Sequence, residues 1–202
     1  MPSTREEHVG YTRNELNNYP YYIEVIEELK KHNIKSYLDI GANTGEFCNV
    51  LFEKLPTLKK AYLIEPEKGN FEFLRNHLVP KNISLFETAV GYNITSPQII
   101  SLYDNVGGFS IIDSPDNISN ISVKTLEELK IPKVDLVKID IEGGEYNLIE
   151  NSTYLQNIKW LDIEFHDYHN IPTKEYVGKY FPNHTIEVIE SLEGRCLLKR
   201  IK

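Results

Sequence analysis

Cysteine is scarce in this chain. Cys48 and Cys196 are the only two thiols in 202 residues, and they form neither a CxxC pair nor a zinc spacing. Both sit in apolar runs, which predicts buried free thiols in a reducing compartment rather than a disulfide framework. Long apolar runs are missing too. None approaches the roughly 18 residues of a membrane span, and Met1–Glu7 hold no apolar h-region, so neither a membrane segment nor a signal peptide is expected and the expected location is cytoplasmic. Basic charge is short. The chain has 22 Lys and Arg against 30 Asp and Glu, a net charge of −8. That balance disfavours nucleic acid as a partner, because affinity there comes mainly from neutralising phosphates. Six N-x-S/T sequons, at Asn82, Asn93, Asn117, Asn120, Asn151 and Asn183, reflect an Asn-rich composition in a chain without a secretion signal. Internal repeats and low-complexity tracts are absent.

What is present suits one globular domain. The hydrophobic fraction is 41%, with 13 Tyr and 8 Phe, enough to bury a sizeable core. Residues 1–20 are polar and without clear period, which predicts an irregular arm. Tyr21–Lys31 carries Ile23, Ile26 and Leu29 on one stripe and reads as a helix. Residues 1–35 are thus an arm and helix, with a lid or a dimer contact as their expected role. The domain proper runs over 36–202.

From Ser36 the pattern alternates between strand and helix. Strands are expected over 36–40, 61–65, 83–87, 134–139 and 159–165, and helices over 45–55, 66–78, 145–150 and 173–180. Pro66 suits a helix start, and Thr125–Glu128 is a capping box. Two last strands, 185–189 and 196–201, meet around Glu193–Gly194 as a hairpin. An insert over 92–122 reads equally as short strands or as irregular chain. The alternation predicts an α/β three-layer sandwich with a mostly parallel sheet and an antiparallel strand from the hairpin. Such sheets bind ligands beyond the carboxyl ends of their strands.

The strand ends carry the chemistry. Strand one ends in Asp39-Ile40-Gly41-Ala42-Asn43-Thr44-Gly45, where Gly41 and Gly45 allow a tight turn against a ligand. Strand two ends in Glu65, 24 residues after Gly41, an offset that lets a carboxylate accept ribose hydroxyls. Strand three is followed by Thr88 and Ala89, where an adenine would rest. The loop lacks the Gly-Lys-Ser/Thr of a P-loop, and Asn43 replaces the second glycine of Gly-x-Gly-x-x-Gly. Asp39 repels a pyrophosphate and attracts an ammonium or sulfonium. This sign favours S-adenosylmethionine over NAD.

The segments Leu38–Gly45, Ile64–Pro66, Val134–Glu145 (VDLVKIDIEGGE) and Trp160–His166 (WLDIEFH) together resemble the FkbM-type methyltransferases, in that family's order. The resemblance implies the class I, Rossmann-like fold with a seven-stranded sheet, S-adenosylmethionine as cofactor, and methylation of hydroxyls on sugars or other small molecules. It assigns Asp39, Gly41, Asn43, Gly45, Glu65, Thr88, Ala89 and Asp140 to the cofactor. Asp140, Glu142 and His166 become the candidate catalytic groups, and Glu164 and Glu145 belong to the same motifs.

Methyl transfer is an in-line displacement in which the protein positions the acceptor and takes its proton. Asp140 and His166 are equal candidates for the base. His has the better unperturbed pKa, and Asp140 needs its pKa raised. Glu145 reads as a carboxylate favouring a helix N-terminus. A divalent metal on Asp140, Glu164 and His166, extended by Asp167 and His169, is the alternative; the favoured reading has no metal. The expected partner is a small-molecule acceptor, a sugar or nucleotide-sugar, with no membrane or nucleic acid and with room for a homodimer. The rivals are O- or N-methylation of a non-sugar molecule and a non-catalytic cofactor-binding protein.

Overall fold

The computed structural model describes residues 3–78, 82–102, 107–114, 121–166, 173–190 and 194–201. Two helices, α1 (Arg5–Asn18) and α2 (Pro20–Lys30), precede the sheet. The central strands are β1 (Ser36–Ile40), β2 (Lys60–Ile64), β3 (Ile83–Phe86), β4 (Leu136–Ile139), β5 (Trp160–Glu164), β6 (His184–Glu190) and β7 (Arg195–Arg200). Their order is β6-β7-β5-β4-β1-β2-β3. β7 runs antiparallel to both β5 and β6, and the other pairings are parallel. The expected α/β fold is therefore observed, with its order reversing between β1 and β4. That is the switch point at which open sheets take ligands.

Helices α3 (Glu46–Lys54), α4 (Lys68–His77), α6 (Glu145–Asn151) and α7 (Thr173–Tyr180) cover the sheet, and α5 (Leu126–Leu129) is a single turn. Alternation along each strand divides the core in two. Tyr37, Leu63 and Trp160 pack beneath Val25, Leu51 and Leu74 on one face. Leu38, Val137 and Ile163 pack beneath Leu148 and Val177 on the other. Cys48 and Cys196 are buried and free, one in each cluster. Among the described residues, no helix is long and apolar enough to cross a membrane.

Residues 5–18 correct the expectation of an irregular arm. They form a helix that opens on a capping box between Thr4 and Glu7. Its only buried residue is Leu16, so no apolar stripe marks it. Polar contacts hold it instead. The Arg5 guanidinium donates to Glu67 and Asn70 at the start of α4, each at 2.9 Å. Arg13 donates to Glu46 and Glu53 of α3. The segment 92–122 contains an antiparallel hairpin, Pro97–Ser101 with Phe109–Asp113, and ahead of it Ala89–Val90 pairs with Val123–Lys124.

Candidate active site

A cleft of about 1150 Å³ opens along the carboxyl edge of the sheet. That exceeds the ~300–1,000 Å³ of a typical small-molecule pocket and leaves room for two ligands. The loops after β1, β2 and β3 form one half. The loops after β4 and β5, with the start of β7, form the other. α1 borders the cleft through His8, Tyr11, Thr12 and Glu15, and the hairpin borders it through Phe109, Ile111 and Asp113.

In the first half the backbone makes the surface. Gly41 has φ +89° and Gly45 φ +79°, with Asn43 between them at φ +49°. A Cβ on Gly41 would lie 1.9 Å from the backbone oxygen of Asp140, so only glycine lets the β1 and β4 loops meet. Glu65 directly follows β2, lines the cleft and is buried. One of its oxygens accepts from the Asn43 N–H at 2.8 Å, the other from the Glu67 N–H at 2.9 Å. Burial pushes its pKa up to about 7 despite these bonds. Thr88 and Ala89 line the same half, with the Thr88 hydroxyl donating to the Ser122 carbonyl at 2.8 Å.

Asp39 stands elsewhere. It is fully buried, is not among the residues lining the cleft, and faces Lys138 across the β1–β4 register. Lys138 is in turn the register mate of Asp162, so three charged residues lie in a row across β1, β4 and β5. The Lys138 ammonium is 2.9 Å from Asp140 and 3.8 Å from Asp39. Tyr21 donates to Asp162 at 2.6 Å. Burial raises Asp39 and Asp162 to about 6 each. Burial alone would raise Asp140 as well, but the Lys138 charge overrides it and holds Asp140 below the usual carboxylate range.

The second half is a network of side chains. Glu145 is fully buried at the start of α6. Its carboxylate accepts from the Ile141 and Gly143 N–H groups at 2.9 and 3.0 Å and stands 3.0 Å from His166 Nδ1. His166 Nε2 is 3.3 Å from Glu142 and 3.8 Å from Glu164. Burial would lower the His166 pKa, but Glu145, Asp140 and Glu142 raise it to about 9. The imidazole is therefore a cation at neutral pH, which removes the advantage that an unperturbed imidazole has as a base. Burial and the Asp140 charge push Glu142 and Glu164 up to about 7 each. Glu142 adopts φ +55°, a left-handed backbone rare for a non-glycine residue. Arg195 donates to Glu164 at 2.8 Å, and its guanidinium lies 5.4 Å from the ring centres of Tyr19 and Tyr22.

Asp140, Glu164 and His166 can each bring one donor atom within 4.8 Å of the others, so the alternative metal set is assembled. Each member is already engaged by a charge of opposite sign: Asp140 by Lys138, Glu164 by Arg195, and His166 by Glu145. Asp167 and His169 lie outside the described residues.

The structure adds residues that local sequence does not mark. His8, Thr12 and Glu15 reach the cleft only because α1 lies over it. Arg195 is the register mate of Glu164 across the β5–β7 pair, so the hairpin pattern held a signal for it. Trp160 is buried in the core and outside the cleft, whereas Tyr22 lines it.

Comparison with known proteins bears on this geometry. The family model of the methyltransferase FkbM domain matches residues 39–192. No curated protein sequence matches the chain. Among solved structures, a methyltransferase FkbM from Methylobacillus flagellatus KT aligns with TM-score 0.56 at 16% identity, over 83% of this chain and 44% of that one. The chain thus spans less than half the length of that protein. A putative methyltransferase from Escherichia coli aligns with TM-score 0.54 at 12% identity, covering 87% of this chain and 82% of its own. M. capricolum TrmK, solved with S-adenosylhomocysteine, aligns with TM-score 0.50 at 14% identity, over 88% and 68% of the two chains. At such identities these likenesses speak for the fold.

Proposed function

The chain belongs to the FkbM methyltransferase family, and from that premise we propose that it methylates a hydroxyl of a sugar-like small molecule. The family sets the reaction class and the cofactor, S-adenosylmethionine, which supplies an electrophilic methyl group. The residues present fit that cofactor. A loop of positive-φ residues leaves room for close approach, the Glu65 carboxylate faces the cleft, and the wall around Asp140 suits a cation. In this reading Gly41, Asn43 and Gly45 shape the cofactor's seat. Glu65 takes the ribose hydroxyls, Thr88 and Ala89 flank the adenine, and Asp140 faces the amino-acid end.

The observation that carries the hydroxyl reading is the wall made by Glu142, Glu164 and His166. An acceptor hydroxyl has to lose its proton as the methyl arrives, and the ideal base has a pKa near the working pH. Glu142 fits, since its pKa is about 7 and it lines the cleft. Asp140 is held too low, and His166 is already protonated. We therefore assign the proton to Glu142, with His166 holding that carboxylate in place.

Isothermal titration with S-adenosylhomocysteine, run on the wild type and on Glu142→Gln, tests this. Both should bind the product one to one, while turnover of the variant falls about a hundredfold or more. Failure of the wild type to bind overturns the cofactor assignment. Full turnover in the variant overturns the assignment to Glu142 and moves the proton to Glu164, which is raised to the same value and lines the same wall.

A further inference from the structure

The charge of the cleft narrows the acceptor, on the premise that the methyltransferase reading above is right. Among the described residues lining it, Lys138 and Arg195 are the only Lys or Arg. Neither is available to an incoming anion. Lys138 is buried, bonded to Asp140, near Asp39, and 5.2 Å above the Phe47 ring. Arg195 is bonded to Glu164 and held between two tyrosines. The acids on the same surface are more numerous: Glu15, Glu65, Asp113, Asp140, Glu142 and Glu164 all line it.

Backbone donors are the other way to hold a phosphate, chiefly at helix N-termini. Here several such donors are filled from within. Glu67 accepts from the Gly69 and Asn70 N–H groups at the start of α4. Glu145 accepts from Ile141 and Gly143 in front of α6. Asp113 accepts from the Thr95 and Ser96 N–H groups beside the hairpin. α3 opens without a side-chain cap, and it belongs to the cofactor half. A carboxylate thus stands at three of the places where a phosphate could have been received. Burying a phosphate among them would set like charges together in a low dielectric, and the cations beside them, Lys138, Arg195 and the His166 imidazolium, are each already paired with a carboxylate.

We propose that the acceptor is an uncharged polyol, the free hydroxyl of an unactivated sugar or glycoside, and that phosphate-bearing forms such as nucleotide-sugars are refused. The Glu142, Glu164 and Asp140 oxygens offer acceptors to hydroxyl groups, and the cleft supplies the charge-based rejection of the activated form.

The test uses the whole chain. S-adenosylhomocysteine is titrated first; if it does not bind, the methyltransferase reading falls and this inference with it. With that site saturated, uridine diphosphate, guanosine diphosphate and pyrophosphate are titrated in turn. The expected result is no saturable heat up to millimolar concentration. Saturable binding tighter than about 1 mM, some −4 kcal/mol, overturns the inference. In parallel, transfer of labelled methyl is compared between methyl glycosides and the nucleoside-diphosphate forms of the same sugars. The glycoside should carry at least ten times the label wherever either is methylated. Equal or greater labelling of the nucleotide form overturns the inference independently.

Discussion

The two halves of the cleft are built by different physics. Around β1 and β2 the surface is backbone, bent through positive φ at Gly41, Asn43 and Gly45 and tied to the Glu65 carboxylate by two N–H bonds. Around β4 and β5 the surface is side chain, with Lys138, Arg195 and His166 threaded among Asp140, Glu142, Glu145 and Glu164. A backbone seat suits a ligand that never changes, because its shape is set by local dihedrals. A charge network suits a ligand that differs between relatives, because one substitution re-tunes every neighbour.

Removing the centre of the network should produce the largest effect. Lys138→Met removes the ammonium that Asp39 and Asp140 share and that faces Asp162 across the sheet. Loss of one partner from such a buried set costs about 3–5 kcal/mol, to be read by urea denaturation. A loss under about 1 kcal/mol would show that the acids simply take up protons in its absence, and the contrast between the halves would weaken.

Glu65→Ala comes next. It should weaken S-adenosylhomocysteine binding by about 1–3 kcal/mol, since a buried charged hydrogen-bonding group is lost. Turnover at saturating cofactor should change little. A variant that binds normally but turns over slowly would place Glu65 in the wrong half.

The effect of pH is the most gradual, because several groups share it. His166 has a folded pKa of about 9, above its usual value. Its contribution is fully present below the unfolded pKa and is lost as pH rises through 9. Glu142 and Glu164 are raised to about 7, so the folded state binds more protons than the unfolded one between the ordinary carboxylate range and 7. Stability falls with rising pH there too. The melting temperature should therefore decline from pH 6 to pH 9, by about 2–4 °C for each kcal/mol lost. A melting temperature that climbs over this interval contradicts the charge network as drawn.

How much of this could be read in advance divides along the same line. The sheet, its hairpin and the Gly41–Gly45 turn were legible, because strand alternation and glycine spacing are local properties. The structural role of Glu145 was legible for the same reason, as an acid at a helix start. Helix α1 was not. Its period carries almost no apolar signal, and its partners Glu46 and Glu67 are 33 and 62 residues away in sequence. Nor was the protonation of His166, which Glu145 sets from 21 positions off. The surroundings of Asp39 were hidden for a related reason. It adjoins the Gly41–Gly45 turn in sequence, yet its position on β1 turns it toward Lys138.

The contact between Gly41 and the Asp140 carbonyl has a mechanical meaning. It joins the two halves through main chain, where nothing can rotate away as a side chain would. It acts as a gauge block between the jaws of a vice. On the proposed roles, it fixes the backbone of the donor's seat against the backbone that carries the acceptor's wall. A side-chain substitution in one jaw then leaves the backbone of the other in place, and the alignment that the proposed in-line transfer demands is kept.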